Sequence, residues 1–213
     1  LSTFIRWPKP ELAGLIFHEL AHGRVFIGGD TSFNEALATF VERRGVVEWL
    51  RSQRDADGIA RVEARWSASD LLAEYLLNWR AQLQRLYDQP YDTVVLRLLK
   101  GEMMSELGRC YEQNRSLLGG GAADWFFRDP VNNARLVPFA AYHELVGGFA
   151  GLFADSDEVW ATFYARAAQF KRLKADARVV ELERLARVHH TRAEDRNERT
   201  PVRCRSLEYS SAN

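Results

Sequence analysis

His18, Glu19 and His22 form an H-E-x-x-H pattern within the run Leu15-Ile16-Phe17-His18-Glu19-Leu20-Ala21-His22. On an α-helix, residues four apart share a face and lie about 5–6 Å apart along the axis. Two imidazoles so spaced can both reach one metal ion, each at about 2.0–2.1 Å. Glu19 falls on the flank of that face. There its carboxylate can hold and deprotonate a metal-bound water without being a ligand. A catalytic zinc takes three protein ligands and keeps a fourth position open. Glu35, within Phe33-Asn34-Glu35-Ala36-Leu37-Ala38, is the expected third ligand, supplied by a second helix that starts near Thr31 and folds back. One zinc ion per chain is expected. The competing readings are structural. Ser32-x-x-Glu35 also fits a capping box, in which Glu35 only satisfies the helix start. Histidines in an apolar helix can be satisfied core residues. Asp30, in the turn Gly28-Gly29-Asp30, reads first as an ordinary turn aspartate. The alternative is an outer carboxylate that orients a ligand histidine. Thr39 and Glu42 fall on the same side of the second helix as Glu35 and could support the site or be solvated.

The elements that must hold these residues read as helices. Pro8 and Pro10 precede Glu11, which places a helix start near residue 10. Phe33, Leu37, Phe40, Val41 and Val47 give residues 32–53 an apolar stripe at helical spacing. Val62, Ala64 and Trp66 alternate weakly with charged residues after Asp57-Gly58, which predicts a short strand or a loop over 59–66. The patterns over 69–86 and 92–118 predict an antiparallel helical pair, its first member ended by Pro90. Gly119-Gly120-Gly121 is a break and not a phosphate loop, because no Gly-Lys-Ser/Thr follows. Trp125-Phe126-Phe127 reads as packing, with a substrate groove as the alternative. Asn132 and Asn133 could cap the next helix or contact substrate backbone. Further helices are expected over 157–173 and 176–188. From Thr191 apolar residues thin out, and 189–213 is expected to be a disordered tail.

The two motifs resemble those of the gluzincins, zinc peptidases with H-E-x-x-H and a distal glutamate. Asn34-Glu35-x-x-Ala38 is similar to the segment around the third ligand of zinc aminopeptidases. A closer resemblance is to a bacterial family described as predicted aminopeptidases. It rests on Glu11 to His22, on Gly29-Asp30-Thr31-x-Phe33-Asn34-Glu35, and on Asn132-Asn133-Ala134-Arg135-Leu136 with Tyr142-His143 following, and it covers residues 8–180. The resemblance implies a tyrosine or histidine that donates to the oxyanion formed in acyl hydrolysis. Tyr142 is the candidate and His143 the runner-up. It also implies a β-sheet ahead of the active helix, for which this sequence has almost no room. The chain, which starts at Leu1, is therefore expected to be the C-terminal part of a longer protein, or a processed one. Related full-length proteins resemble envelope lipoproteins, which suggests a periplasmic or envelope location.

The expected fold is mainly α: a zincin-like active-site helix followed by a helical bundle, as a single domain over 1–188. The 213 residues are 46% hydrophobic, enough for a core, and carry no net charge, so no general attraction to nucleic acid follows. No apolar run is long enough to span a membrane. The two cysteines, Cys110 and Cys204, form no C-x-x-C and leave the redox compartment open. The function expected is a zinc-dependent peptidase, an aminopeptidase acting on peptide or protein substrates. The rivals are a non-catalytic helical scaffold that keeps a peptidase-like helix, and a zinc amidase acting on a non-peptide amide.

Overall fold

The computed structural model describes residues 7–129, 131–133, 135–136, 145–193, 202 and 204. Every regular element among them is helical, so the fold is mainly α. The chain packs as two compact units. Residues 1–63 and 141–198 form the first, and residues 64–140 and 199–213 the second.

The first unit holds both motifs. Helix α1 (Lys9–Arg24) starts behind Pro8, with Pro10 in its first turn, where a missing N–H costs nothing. It ends where Val25 turns extended, at φ −138° and ψ 120°. Helix α2 (Thr31–Ser52) follows and packs along α1. Its apolar stripe, Phe33, Leu37, Phe40 and Val41, is buried. It meets Phe149 and Phe153 of α6 (Val146–Ala154), Phe163 of α7 (Trp160–Gln169) and Phe170 of the 3-10 turn that follows. The rings interlock: Phe33 and Phe149 lie 5.1 Å apart between centroids, and Phe40 and Phe163 5.2 Å. Such pairs add about 0.5–1.5 kcal/mol each beyond their buried area. Helix α8 (Ala175–Ala193) closes the unit against α6. Gly148 and Gly151 make that approach possible. A Cβ at Gly148 would stand 2.5 Å from the Leu182 carbonyl oxygen, and one at Gly151 2.4 Å from that of Leu185.

The second unit is built on α3 (Ala56–Tyr87) from residue 64 onward and α4 (Thr93–Gln113), the expected helical pair, with α4 ending short of the expected 118, and on the short α5 (Asp124–Phe127). Leu76, Trp79, Leu83, Met103, Leu107, Tyr111 and Phe126 form its core. Phe127 stacks on Tyr111 at 3.7 Å and Phe126 is buried, so these two rings of the run at 125–127 are packing, whereas Trp125 is exposed. Cys110 and Cys204 are joined in a disulfide, with Cα atoms 5.6 Å apart. Asp92 starts α4 by accepting from the N–H groups of Val94 and Val95.

Residues 59–66 differ from expectation. They are neither strand nor loop but the opening turns of α3. Asp55 accepts from the Gly58 N–H at 2.8 Å, and its carbonyl oxygen from the Ile59 N–H at 3.1 Å. That cap carries the chain through Gly58 into a helix, on which Val62 is buried. The end of α8 at Ala193 also lies beyond the expected 188. Most of 189–213 falls outside the described residues; Cys204 within it is tied to α4 by the disulfide.

Candidate metal centre

His18 and His22 stand one turn apart on α1, with ring centroids 4.9 Å apart and planes at 79°. Glu35 lies near the start of α2, opposite both rings. Its Oε2 is 3.3 Å from His18 Nε2, and its Oε1 is 3.7 Å from His22 Nε2. One donor atom from each of the three side chains lies within 4.8 Å of the others. Ligands about 2.0–2.1 Å from a tetrahedral zinc stand about 3.3 Å from one another. The three side chains are partly buried, at 19%, 22% and 29% exposed. The sequence thus brings together the three residues expected as ligands.

The first turn of α2 is fixed by two neighbours of Glu35. Asp30 is the cap: its Oδ1 accepts from the Phe33 N–H at 3.1 Å, and its carbonyl oxygen from the Asn34 N–H at 3.1 Å. Its other carboxylate oxygen accepts from Arg178 Nε of α8 at 2.7 Å, and Arg178 NH1 donates to the Leu173 carbonyl at 2.6 Å. Asp30 is therefore a cap in a largely buried ion pair, not an outer carboxylate of a ligand histidine. With the cap supplied by Asp30, Glu35 is turned to the imidazoles and the Ser32-x-x-Glu35 capping box does not form. Asn34 is 3% exposed. Its Oδ1 accepts from the Ile27 N–H and its Nδ2 donates to the Ile27 carbonyl, both at 2.8 Å. This clamp joins the segment leaving α1 to the turn that carries Glu35. Sequence reasoning assigned it no such role, although a buried asparagine beside a candidate ligand is a signal for one.

Glu42, two turns along α2, places Oε2 3.2 Å from His18 Nδ1. Gly14 makes room for it; a Cβ there would stand 3.2 Å from Glu42 Cγ. The His18 imidazole titrates above its ordinary value. The Glu42 hydrogen bond raises it most, burial pulls it back, and the charges of Glu42, Glu35 and Glu19 add to the rise. When its Nδ1–H donates to Glu42 Oε2, a neutral His18 presents the Nε2 lone pair to Glu35 Oε2. Two acceptors then face each other. A cation between them, a proton or a metal ion, removes that repulsion. The Nδ1 of His22 is buried with no hydrogen-bond partner among the described residues. That leaves Nε2 as the nitrogen of His22 engaged with Glu35. The donor set of two imidazoles and one carboxylate fits a zinc ion with an open fourth position.

Glu19 is exposed on the flank of α1, where its spacing from His18 and His22 puts it. Tyr142 and His143 lie outside the described residues. Asn132 Oδ1 accepts from the Arg135 N–H at 3.2 Å, and Asn133 Nδ2 donates to the Tyr87 hydroxyl at 2.8 Å. Asn132 therefore caps, and Asn133 bonds within the second unit. No helix among the described residues is long and apolar enough to cross a membrane.

The chain belongs to the family described as "Putative aminopeptidase", whose profile matches residues 1–182. No curated protein and no solved structure matches the chain.

Proposed function

We propose that this member of the aminopeptidase family is a zinc-dependent peptidase that removes residues from the free amino end of peptides. The observation that carries the reading is the placing of Glu35 within 3.3 and 3.7 Å of the two imidazole Nε2 atoms. The family description, which names an aminopeptidase, supports it.

His18, His22 and Glu35 would hold one zinc ion through Nε2, Nε2 and a carboxylate oxygen. When bound, zinc lowers the pKa of a water molecule to about 7 and polarises the scissile carbonyl. Glu42 keeps a proton on His18 Nδ1, so that Nε2 stays free as a donor and the ring keeps its orientation. The Glu19 carboxylate takes a proton from the attacking water as the C–O bond forms. It returns that proton to the amine nitrogen as the C–N bond breaks. Tyr142 is the proposed hydroxyl donor to the developing oxyanion.

The test is the zinc content of the purified chain after dialysis, beside the Glu35→Ala variant. About one zinc per chain, lost or sharply weakened in the variant, supports the site. A folded chain without zinc overturns it. Cleavage of free-amine peptides and not of N-acetylated ones supports the aminopeptidase; the reverse preference overturns that part.

A further inference from the structure

Phe26 sits on the extended segment that leaves α1, between buried Val25 and Ile27. Side chains alternate along extended backbone, so Phe26 points outward where its neighbours point in. It is 56% exposed. Its ring meets the His22 imidazole edge-on, with centroids 6.4 Å apart. The segment cannot readily swing this ring inward, because Asn34 clamps both the N–H and the carbonyl of Ile27.

Gly23 is the second part of the observation. It is exposed in the last turn of α1, next to His22 and one turn after Glu19. Apart from its chain neighbours and the backbone of its own helix, a Cβ there would meet nothing within 4 Å. Its backbone needs no glycine either: it lies within a helix and is not among the glycines with positive φ. Helix propensity favours almost any side chain over glycine at such a position. Bare backbone is thus left one turn after Glu19 and next to His22, the residue whose imidazole the exposed Phe26 ring meets.

We propose that Gly23 and Phe26 form the floor and end wall of a subsite for the bulky apolar side chain of a substrate residue flanking the scissile bond. The inference rests on the peptidase reading and names its substrate class: peptides with leucine, phenylalanine or a similar side chain at that place. Such a side chain laid over Gly23 leaves water against the Phe26 ring, whereas glycine or alanine gains little there. Its backbone then lies beside Glu19 and His22, where the proposed hydrolysis takes place.

The test uses the zinc-loaded full chain and short free-amine peptides with Gly, Ala, Leu or Phe on either side of the cleaved bond. Expected is a kcat/KM for Leu and Phe peptides roughly tenfold or more above that for Gly peptides. In Phe26→Ala this ratio collapses toward one through a raised KM on the bulky peptides, with zinc retained. Gly23→Leu fills the floor and lowers kcat/KM on the bulky peptides about tenfold, while its melting temperature holds or rises. A damaged fold would move the melting temperature the other way. A second readout does not depend on turnover. Saturation-transfer NMR from metal-free protein to Leu and Phe peptides should mark their side-chain protons in the wild type and not in Phe26→Ala. An active enzyme whose preference is unchanged in both variants overturns the subsite alone. A zinc-loaded wild-type chain that cleaves none of the peptides overturns the peptidase reading, and the NMR contact then decides the subsite by itself.

Discussion

The Oε2 of Glu42 lies 3.2 Å from the Nδ1 of His18, on the side of the ring opposite Glu35. One imidazole is thus held between two carboxylates from the same helix. Glu42 engages Nδ1 and Glu35 faces Nε2, so in a neutral ring whose Nδ1–H donates to Glu42 the Nε2 lone pair is turned to Glu35.

If Glu42 orients His18 for a metal, its removal should weaken zinc without unfolding the chain. Outer carboxylates of this kind are worth about 10–100-fold in metal affinity. Glu42→Ala is expected near the upper end. Glu42→Gln, which keeps an acceptor oxygen, is expected near the lower end. Competition against a chromophoric chelator measures both. Affinity unchanged in Glu42→Ala would remove the orienting role.

Glu19 is exposed on the flank of α1 and is not one of the three clustered donors. Glu19→Gln keeps the shape and removes the base. Zinc content should stay at the wild-type level while kcat falls about 10²–10⁴-fold. A zinc-loaded Glu19→Gln protein with wild-type turnover would assign the proton transfer elsewhere.

Asn34 and Arg178 hold the turn before Glu35. Asn34→Ala strands the N–H and carbonyl of Ile27 in a buried place, at about 1–3 kcal/mol for each group. Arg178→Met leaves the Asp30 carboxylate largely buried without its partner, at about 3–5 kcal/mol. Both should lower the melting temperature of the metal-free chain. Added zinc should recover less of the loss than it adds to the wild type, because Glu35 is no longer held in place. Calorimetry with and without zinc gives both quantities. An equal zinc-induced shift in all three proteins would separate this turn from the metal site.

Cys110 and Cys204 close a loop across 94 residues of sequence. Their bond should stabilise the second unit by about 2–4 kcal/mol, mainly by restricting the unfolded chain. The unreduced, denatured chain should present no free thiol to a thiol reagent, and the reduced chain two. The melting transition should fall on reduction, and Cys110→Ser should behave like the reduced protein. Two free thiols in the unreduced chain would refute the pairing.

His18, Glu19 and His22 were legible because their relation is local. Once the segment is a helix, its period alone sets which side chains share a face. The start of α1 follows in the same way from Pro8 and Pro10, and the helices over α2 and α4 from their apolar residues at helical spacing, whereas the Asp30 and Asp92 caps came only with the structure. The start of α3 did not follow. A weak alternation over a few residues fits strand and helix alike, and the Asp55 cap chose between them. Glu35 could be named from its motif, but its direction could not. Asp30 and Ser32 are both able to cap α2, and the choice leaves Glu35 free or engaged. Arg178, 148 residues further on, pairs with Asp30 and holds it as the cap. The same holds for Glu42 on His18, Asn34 on Ile27 and Cys110 on Cys204. Each partner is found only when packing brings distant stretches together. Spacing along the chain determined which groups could act on one face of one helix. Tertiary structure decided what faces them, because hydrogen bonds and ion pairs across elements depend on distances that packing alone sets.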